Sequence, residues 1–389
     1  MSAEHTTGSP DFSEVARPGA SRTDPGELAH RLQDWLRTAL PADADPQVTD
    51  VQVPAANGMS NETILFDAVW FEAGERRHHD LVARIAPAPS GVPIFPSYDL
   101  DRQYRIMQAV AERSDVPVPR VYWSETSPDA LGGEFFVMER CDGLIPPDVM
   151  PYNFGSWLSE GSDADRRRLQ NTSVRILADL HATPEPAQLF PDAAATSATA
   201  ALSAHIDGQR RYYAWATETG PRSPLIERGL AWLDEHRPSP SGPAVLCWGD
   251  ARIGNVVYRD FEPAAVLDWE MAALGPRELD LGWMIFIHRF FEDLATVAGL
   301  PGLPDLLRRG DVAGTYTDLT GHTPENLDFY TLYAALRHAI IMFRIQCRAV
   351  AFGQAEAPAD PDDMILHRKT LEEMLAGTYW DRVGGTEVA

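Results

Sequence analysis

The order of strand-like and helix-like segments is the feature that most restricts the fold of this chain. Before residue 140, short apolar runs separated by Gly-containing breaks indicate β-strands, namely VTDVQVP, TILFDAVWF, DLVARIAP, RVYWSE and EFFVMERC. After Asp142 the apolar residues recur mainly at helical spacing. Because strands and helices do not alternate one by one, a parallel βαβ sheet is not expected. The sequence therefore predicts an α+β fold, with a small antiparallel β lobe followed by a larger helical lobe.

The same pattern predicts three regions along the chain. Residues 1–24 are polar and rich in Gly, Ser, Thr and Pro, which is typical of a disordered lead-in. Residues 25–140 form the predicted N-terminal lobe, and residues 141–389 form the predicted helical lobe. Binding sites in two-lobed proteins commonly lie in the cleft between the lobes. We therefore expect the chemistry of the chain in that cleft.

Charge and cysteine usage exclude several classes of partner. The formal net charge of −24 predicts repulsion from nucleic acid and from anionic membrane surfaces. The three cysteines are scattered without CxxC spacing, which argues against a zinc site or a disulfide framework and fits a reducing compartment. No apolar run is long enough to span a bilayer, and the N-terminus lacks a signal-peptide pattern. We expect a cytoplasmic protein.

The segment LCWGDARIGNVVYRDFEPAAVLDWE, residues 246–270, contains the strongest chemical signal. Two short apolar strands each end near an acid, Asp250 and Asp268, and Asn255 follows the first acid by five residues. Phosphoryl transfer needs one carboxylate to orient a hydroxyl and accept its proton. It also needs carboxylate and amide oxygens to hold Mg²⁺ against the phosphates. The spacing predicts that these three side chains meet at one edge of a small sheet.

The stretch WGDARIGN followed by VLDWE resembles the catalytic motifs of the aminoglycoside phosphotransferase and choline kinase superfamily. The resemblance covers roughly residues 48–350, and it is closest to a bacterial aminoglycoside phosphotransferase-like group. The kinase-like domains attached to some acyl-CoA dehydrogenases are also similar. The resemblance implies a protein-kinase-like two-lobed fold, ATP and Mg²⁺ as cofactors, and transfer of the γ-phosphate to a hydroxyl of a small molecule. It implies Asp250 as catalytic base and Asn255 and Asp268 as Mg²⁺ ligands.

Two further segments lie where that family binds its nucleotide. The loop GMSNET falls between two predicted strands, and its backbone N–H groups with the Ser60 and Asn61 side chains are candidates to cover the phosphates. EFFVMERCDG resembles the last strand of the small lobe and the hinge. There, backbone groups of Glu139 and Cys141 are candidates to hydrogen-bond adenine. The N-terminal lobe is thus the predicted nucleotide-binding lobe.

The cation that contacts the phosphates departs from the family pattern. The family places a Lys in the strand LVARIAP, where this chain has Arg84, and the chain has only one Lys, Lys369. Arg can bind phosphate through two parallel hydrogen bonds. The helix acid that orients this cation would fall near Gln103, which is neutral, and Asp99, Asp101 and Glu112 are alternative partners. Arg252, two residues after Asp250, either neutralises the transferred phosphate or forms a local salt bridge.

Two other functions remain open at this level. Arg84 and Gln103 are also consistent with a pseudokinase that binds a nucleotide without turnover. The same acids could instead activate water in a metal-dependent hydrolase, which would release phosphate without an acceptor. The sequence leaves open the acceptor, the choice between ATP and GTP, and the oligomeric state.

Overall fold

The computed structural model describes residues 24–54, 61–87, 92–149, 151–191 and 196–383. The predicted lead-in, residues 1–24, therefore lies outside these ranges except for Asp24, which caps the first helix by accepting hydrogen bonds from Gly26 N and Glu27 N. No helix within the described ranges is long and apolar enough to cross a bilayer.

The first part of the chain forms a five-stranded antiparallel sheet and two helices. The strand order is β1-β2-β3-β5-β4, and every pair is antiparallel. The elements are α1 (Pro25–Ala39), β1 (Gln47–Gln52), β2 (Glu62–Glu72), β3 (Glu75–Ile85), α2 (Leu100–Arg113), β4 (Val121–Glu125) and β5 (Phe135–Glu139).

Alternating side chains of the sheet pack against different cores, as expected for strands. Phe135 and Val137 of β5 lie on the face that packs against Trp35 and neighbouring apolar residues of α1. Phe136 and Met138, one residue out of phase, belong to the core that also contains α2 and the helices of the second lobe. The sheet is therefore covered on both faces, and one face joins the two lobes.

A two-residue turn between β2 and β3 fixes the position of Arg84. Ala73 and Gly74 both have positive φ, 50° and 83°, which is the conformation of a type I′ hairpin turn. The register that follows places Thr63 opposite Arg84. The strand was predicted from Asp80 onward, but this tight turn extends the pairing back to Glu75.

The second part of the chain is mainly helical, with two small strand pairs. The strand pairs are β6 with β9 and β7 with β8. The elements are α3 (Trp157–Glu160), α4 (Asp163–His181), α5 (Ala198–Ala216), α6 (Pro224–His236), β6 (Val245–Cys247), β7 (Val256–Arg259), β8 (Glu262–Val266), β9 (Ala273–Gly275), α7 (Glu278–Val297), α8 (Arg309–Thr320), α9 (Leu327–Ala351), α10 (Arg368–Ala376) and α11 (Tyr379–Arg382). The α+β fold, with an antiparallel β lobe followed by a helical lobe, is confirmed. The boundary at residues 140 and 141 stays a prediction.

Helices α7 and α9 pack closely in the centre of the helical lobe. A Cβ atom at Gly282 would lie 2.7 Å from the backbone of Tyr330, so the absence of a side chain permits this approach. Most residues of both helices are buried. The pair therefore provides a rigid support for the residues at the start of α7.

The same core buries histidines in the neutral form. Burial lowers the pKa of His288 to about 3 and that of His367 to about 4, from 6.5. His367 Nε2 lies 2.9 Å from Ala335 O, and its Nδ1 lies 3.3 Å from His338 Nδ1. The unfolded chain takes up protons on these rings below about pH 6.5, whereas the folded chain does not. Their contribution to stability is therefore complete above pH 6.5 and decreases as the pH falls.

We expect the urea midpoint of unfolding to decrease between pH 7 and pH 5, where ordinary carboxylates remain ionised. One pKa unit corresponds to about 1.36 kcal/mol, so the shift of His367 corresponds to on the order of 3 kcal/mol between pH 6.5 and pH 4, of which about 2 kcal/mol falls above pH 5. His367→Gln should flatten the dependence, whereas His30→Gln, at an exposed site on α1, should leave it unchanged. A midpoint that is constant from pH 7 to pH 5 in the parent would contradict this account.

Candidate active site

The loop after β6 is held by a buried carboxylate beneath it. Asp280, in the first turn of α7, accepts hydrogen bonds from Trp248 N at 2.7 Å and Gly249 N at 2.9 Å. Gly249 has a φ of 87°, and a Cβ there would lie 2.0 Å from Met271 O, so glycine is required. His181 Nε2 lies 3.1 Å from Asp280 Oδ2. These contacts fix the backbone that leads into Asp250.

Three donors contact the Asp250 carboxylate. Trp283 Nε1 donates to Oδ1 at 2.7 Å. Asn255 Nδ2 and Arg252 Nε donate to Oδ2 at 2.7 and 3.1 Å. The Asp250 side chain is 15% exposed. The structure thus brings the predicted base together with both Asn255 and Arg252.

Arg252 lies between two carboxylates. It contacts Asp250 and also donates to Asp148, in the segment that follows β5. Burial disfavours its charge, but Asp250 and Asp148 more than offset this, so the pKa of Arg252 is raised. Both readings of Arg252 are therefore compatible with the structure, because the salt bridge places its charge beside Asp250.

Asp268 follows β8, in an unusual backbone conformation. Its φ of 58° is left-handed, which costs roughly 1 kcal/mol or more for a residue other than glycine. Trp248 Nε1 donates to the carbonyls of Leu267 and Asp268 at 3.0 and 3.1 Å, and Leu267 N donates to Asn255 O at 2.8 Å. The fully buried Trp248 therefore both packs and holds this turn in place.

One detail of the sequence prediction was wrong. Asp250 and Asp268 do not lie at one edge of a single sheet, because β6 pairs with β9 and β8 pairs with β7. The hydrogen bonds from Trp248 Nε1, just after β6, to the carbonyls of Leu267 and Asp268, just after β8, connect the two strand pairs instead.

Arg84 reaches across the cleft toward Asp268. Arg84 NH2 lies 3.6 Å from Asp268 Oδ1, and Arg84 NH1 donates to Thr63 Oγ1 at 3.3 Å. The sequence left the partner of this cation open between the position of Gln103 and the acids Asp99, Asp101 and Glu112. Gln103 is buried in α2, and no hydrogen bond joins it to Arg84 within the described part of the chain. Of the alternative partners, Asp99 caps α2 by accepting a hydrogen bond from Arg102 N, and Asp101 forms an ion pair with Arg105 of the same helix.

The donor set fits a Mg²⁺–nucleotide complex. Arg84 NH2 and Asp268 Oδ1 are both buried and have no hydrogen-bond partner among the described residues. Buried polar atoms of this kind are costly unless a ligand satisfies them. Asn255 uses its amide nitrogen toward Asp250, which leaves its amide oxygen for a metal. A cation between Asp268 and Asn255, with phosphate oxygens near Arg84, would satisfy all of these groups.

The other predicted nucleotide contacts are only partly described. Ser60 lies outside the described residues. Asn61 is buried and its Nδ2 donates to Glu270 Oε2 at 2.9 Å, so it connects the small lobe to the turn after Asp268. Glu139 N donates to Arg120 O, which leaves Cys141 as the better candidate for a backbone donor to adenine. Burial raises the pKa of the Cys141 thiol to about 11.

Arg84→Met should lower ATP affinity or turnover by at least about tenfold, because it removes every donor of the side chain that is predicted to hold the phosphates. Arg84→Lys should restore only part of the loss, since one ammonium cannot reproduce the planar fork that contacts both Thr63 and Asp268. ATP KM and kcat for the parent and both variants would measure this. Arg76→Met, at an exposed position of the same strand, is the control. Parent-like kinetics in Arg84→Met would make Arg84 a plain strand residue.

The sequence placed Trp283 only among the aromatic residues that either line an acceptor pocket or fill the core, and it did not indicate Asp148 or Glu270 as part of this site. Trp283 lies in an apolar stretch of α7 and carried no pattern that separated it from core residues. Glu270 follows Asp268 by two residues, so its closeness to the motif was the one available signal.

Known proteins share sequence and fold with this chain. The sequence pattern of the phosphotransferase enzyme family matches residues 54–307. Acyl-CoA dehydrogenase family member 10 of Mus musculus is 27% identical over 313 residues, which cover 75% of this chain and 26% of that protein. Acyl-CoA dehydrogenase family member 11 of Homo sapiens is 27% identical over 196 residues, covering 50% and 24%. The chain thus spans about a quarter of the length of these curated relatives.

Solved structures share the fold. A candidate aminoglycoside phosphotransferase from Ralstonia eutropha superposes with a TM-score of 0.61 at 21% identity, over 91% of this chain and 97% of that one. An aminoglycoside phosphotransferase, APH(2″)-IIIa, solved with GDP and kanamycin, superposes with a TM-score of 0.55 at 15% identity, over 90% and 99%. The kinase-like two-lobed fold is thereby confirmed. On the family match, this chain belongs to the phosphotransferase enzyme family.

Proposed function

We propose that this protein transfers the γ-phosphate of ATP, with Mg²⁺, to a hydroxyl group of a small molecule. The observation that carries the proposal is the meeting of Asp250, Asn255 and Asp268 with Arg84 across one cleft. These residues supply the parts that phosphoryl transfer needs, which are a base, metal ligands and a phosphate-binding cation.

In this proposal each residue has a distinct task. Asp250 accepts the proton of the acceptor hydroxyl. The hydroxyl oxygen forms a bond to the γ-phosphorus, and the bond between the γ-phosphorus and the ADP oxygen breaks. Arg84 holds the phosphates, and Arg252 places a positive charge near the transferred group. Asn255 and Asp268 would hold Mg²⁺, which neutralises phosphate charge when bound. No covalent enzyme intermediate is required.

The comparisons suggest classes of acceptor to test. Among the structural neighbours, one is solved with kanamycin, another with hygromycin B, and a third is a macrolide 2′-phosphotransferase. The curated relatives instead carry acyl-CoA dehydrogenase names. We therefore propose amino sugars, macrolides and hydroxyacyl thioesters as the acceptors to test. The cytoplasm, which contains ATP and Mg²⁺, is the proposed compartment.

The test is an assay of purified protein with ATP and MgCl₂. It measures ADP formation and acceptor mass with kanamycin, hygromycin B, a macrolide, hydroxyacyl-CoA thioesters of several chain lengths, and no acceptor. Acceptor-dependent ADP together with a phosphorylated product supports the proposal. Equal release of phosphate with and without any acceptor would overturn it in favour of a hydrolase.

Nucleotide binding without turnover is the second candidate function. It is favoured by the ion-pair distance between Arg84 and the predicted metal ligand Asp268, and by neutral Gln103 in place of an acid. Calorimetry with MgATP separates the two. Tight binding together with no ADP formation in any arm of the assay would favour the pseudokinase.

A further inference from the structure

The two carboxylate oxygens of Asp250 accept different numbers of hydrogen bonds. A carboxylate offers about four acceptor positions, two on each oxygen. Asn255 Nδ2 and Arg252 Nε occupy both positions of Oδ2, at 2.7 and 3.1 Å. Trp283 Nε1 occupies one position of Oδ1, at 2.7 Å, and no second donor to Oδ1 is found in the described ranges. The remaining position, on Oδ1, is therefore the one left for the hydroxyl of an acceptor.

The indole that contacts Oδ1 is firmly supported. Trp283 is 2% exposed, and the guanidinium carbon of Arg337 lies 4.6 Å from the centre of its ring. Arg337 is also 2% exposed, and its only hydrogen bond among the described residues is a long one, 3.4 Å, to Gly249 O. Its burial lowers its pKa. No carboxylate of the described chain lies within ion-pair distance of it.

A buried cation without an acidic partner is costly and needs compensation. Part of the compensation comes from the face of the Trp283 ring and from the Tyr333 ring at 5.9 Å, and the Asp280 and Asp250 carboxylates, beyond ion-pair distance, also favour the charge. The same indole donates its N–H to the Asp250 carboxylate. The Trp283 indole therefore contacts both the guanidinium of Arg337, on α9, and the carboxylate of Asp250, at the cleft.

We propose that Asp250 Oδ1 is the atom that accepts the hydroxyl proton, that Trp283 is the positioning residue that holds this oxygen, and that Arg337 keeps the indole in place. The inference rests on the proposed kinase function. In the step, the hydroxyl O–H bond breaks and its proton moves to Oδ1. The hydroxyl oxygen forms the new P–O bond, and ADP leaves with the electrons of the broken P–O bond.

Trp283→Phe tests the role of the N–H alone. Phe keeps a ring for Arg337 to stack on but removes the donor, so the carboxylate is held only through Oδ2 and can rotate. We expect kcat to fall about tenfold, the worth of one hydrogen bond to a charged group, with the KM for ATP unchanged. A purely structural loss would change both constants and lower the thermal midpoint.

The matched control is Trp380→Phe. Trp380 also stacks with an arginine, since the guanidinium carbon of Arg309 lies 6.0 Å from its ring, but it has no contact with Asp250. The kinetic measurements use MgATP and, as acceptor, the compound that gives the highest acceptor-dependent turnover in the assay above.

A double variant tests whether Trp283 and Asp250 act together. Adding Trp283→Phe to Asp250→Asn should lower kcat little further, because both changes act on one oxygen. If the two substitutions lowered kcat independently, so that their factors multiplied in the double variant, the inference would be overturned.

A measurement without turnover separates this inference from the proposed function. In ligand-free protein labelled with ¹⁵N-tryptophan, the indole signal absent from Trp283→Phe identifies Trp283. Asp250→Asn should move that signal upfield, because a neutral acceptor replaces a carboxylate, while the Trp380 signal stays in place. An unmoved Trp283 signal would overturn the inference even if the enzyme is a kinase. A moved signal in a protein without turnover would confirm the contact between Trp283 and Asp250 but overturn the proposed function, and with it the role of Oδ1 as proton acceptor.

Discussion

Asp250→Asn should lower phosphoryl transfer by about 10²–10⁴-fold, the range for removal of a positioned general base. The substitution keeps the shape of the side chain, so the contacts from Trp283, Asn255 and Arg252 can persist in part. The loss should therefore come from the missing proton acceptor and not from a displaced loop. ATP affinity should be nearly unchanged, because the predicted phosphate and metal contacts lie on Arg84 and Asp268.

The kinetic comparison needs a control with the same chemistry. Asp260→Asn makes the identical change in an exposed turn after β7, where the positive φ of 50° suits Asn as well as Asp. We expect parent-like kcat there and a normal calorimetric ATP titration in both variants. Turnover at the parent rate in Asp250→Asn would remove Asp250 from the role of base.

Local pattern was enough to predict the architecture. The alternation of Phe135 to Met138 matches two different cores on the two faces of β5. The long apolar stretches at Glu278–Val297 and Leu327–Ala351 form the predicted helices. The short helices α10 and α11 were not predicted, because short helices depend on tertiary packing more than on their own periodicity.

The candidate site was predictable only where its residues are close in sequence. Asp250, Asn255 and Asp268 lie within one 19-residue stretch, so a motif could indicate them together. Trp283, Arg337 and Asp148 approach the same carboxylate loop from 33, 87 and 102 residues away. No local pattern distinguishes an indole that donates to a carboxylate from one that only fills the core.

The partner of Arg84 was also not predictable from the local sequence. Reasoning by family position directed attention to Gln103, and reasoning by charge directed it to acids of α2. The structure instead places Asp268, 184 residues later in the chain, at 3.6 Å from the guanidinium. The hairpin register that aligns Arg84 with Thr63 and the left-handed turn at Asp268 together create this contact.

Asp268→Ala should abolish most of the magnesium-dependent part of nucleotide binding. Removing the carboxylate takes away a predicted oxygen ligand of Mg²⁺, so MgATP affinity should fall by at least about 10–100-fold, a loss that even outer-shell partners of metal ligands can cause. Without magnesium, ATP should bind the variant as well as the parent or better. The deleted charge no longer repels phosphate, and Arg84 loses its counter-charge.

Two companion variants separate metal binding from backbone strain in this prediction. Alanine is less suited than Asp to the φ of 58° at residue 268, so part of any effect of Asp268→Ala could come from the turn. Asp268→Asn suits that conformation and keeps one oxygen, and should give an intermediate magnesium dependence. Asp260→Ala, also at a positive φ but outside the cleft, should bind MgATP like the parent. Calorimetric titrations with and without MgCl₂ measure all four proteins, and an unchanged magnesium dependence in Asp268→Ala would mean that the metal ligands lie elsewhere.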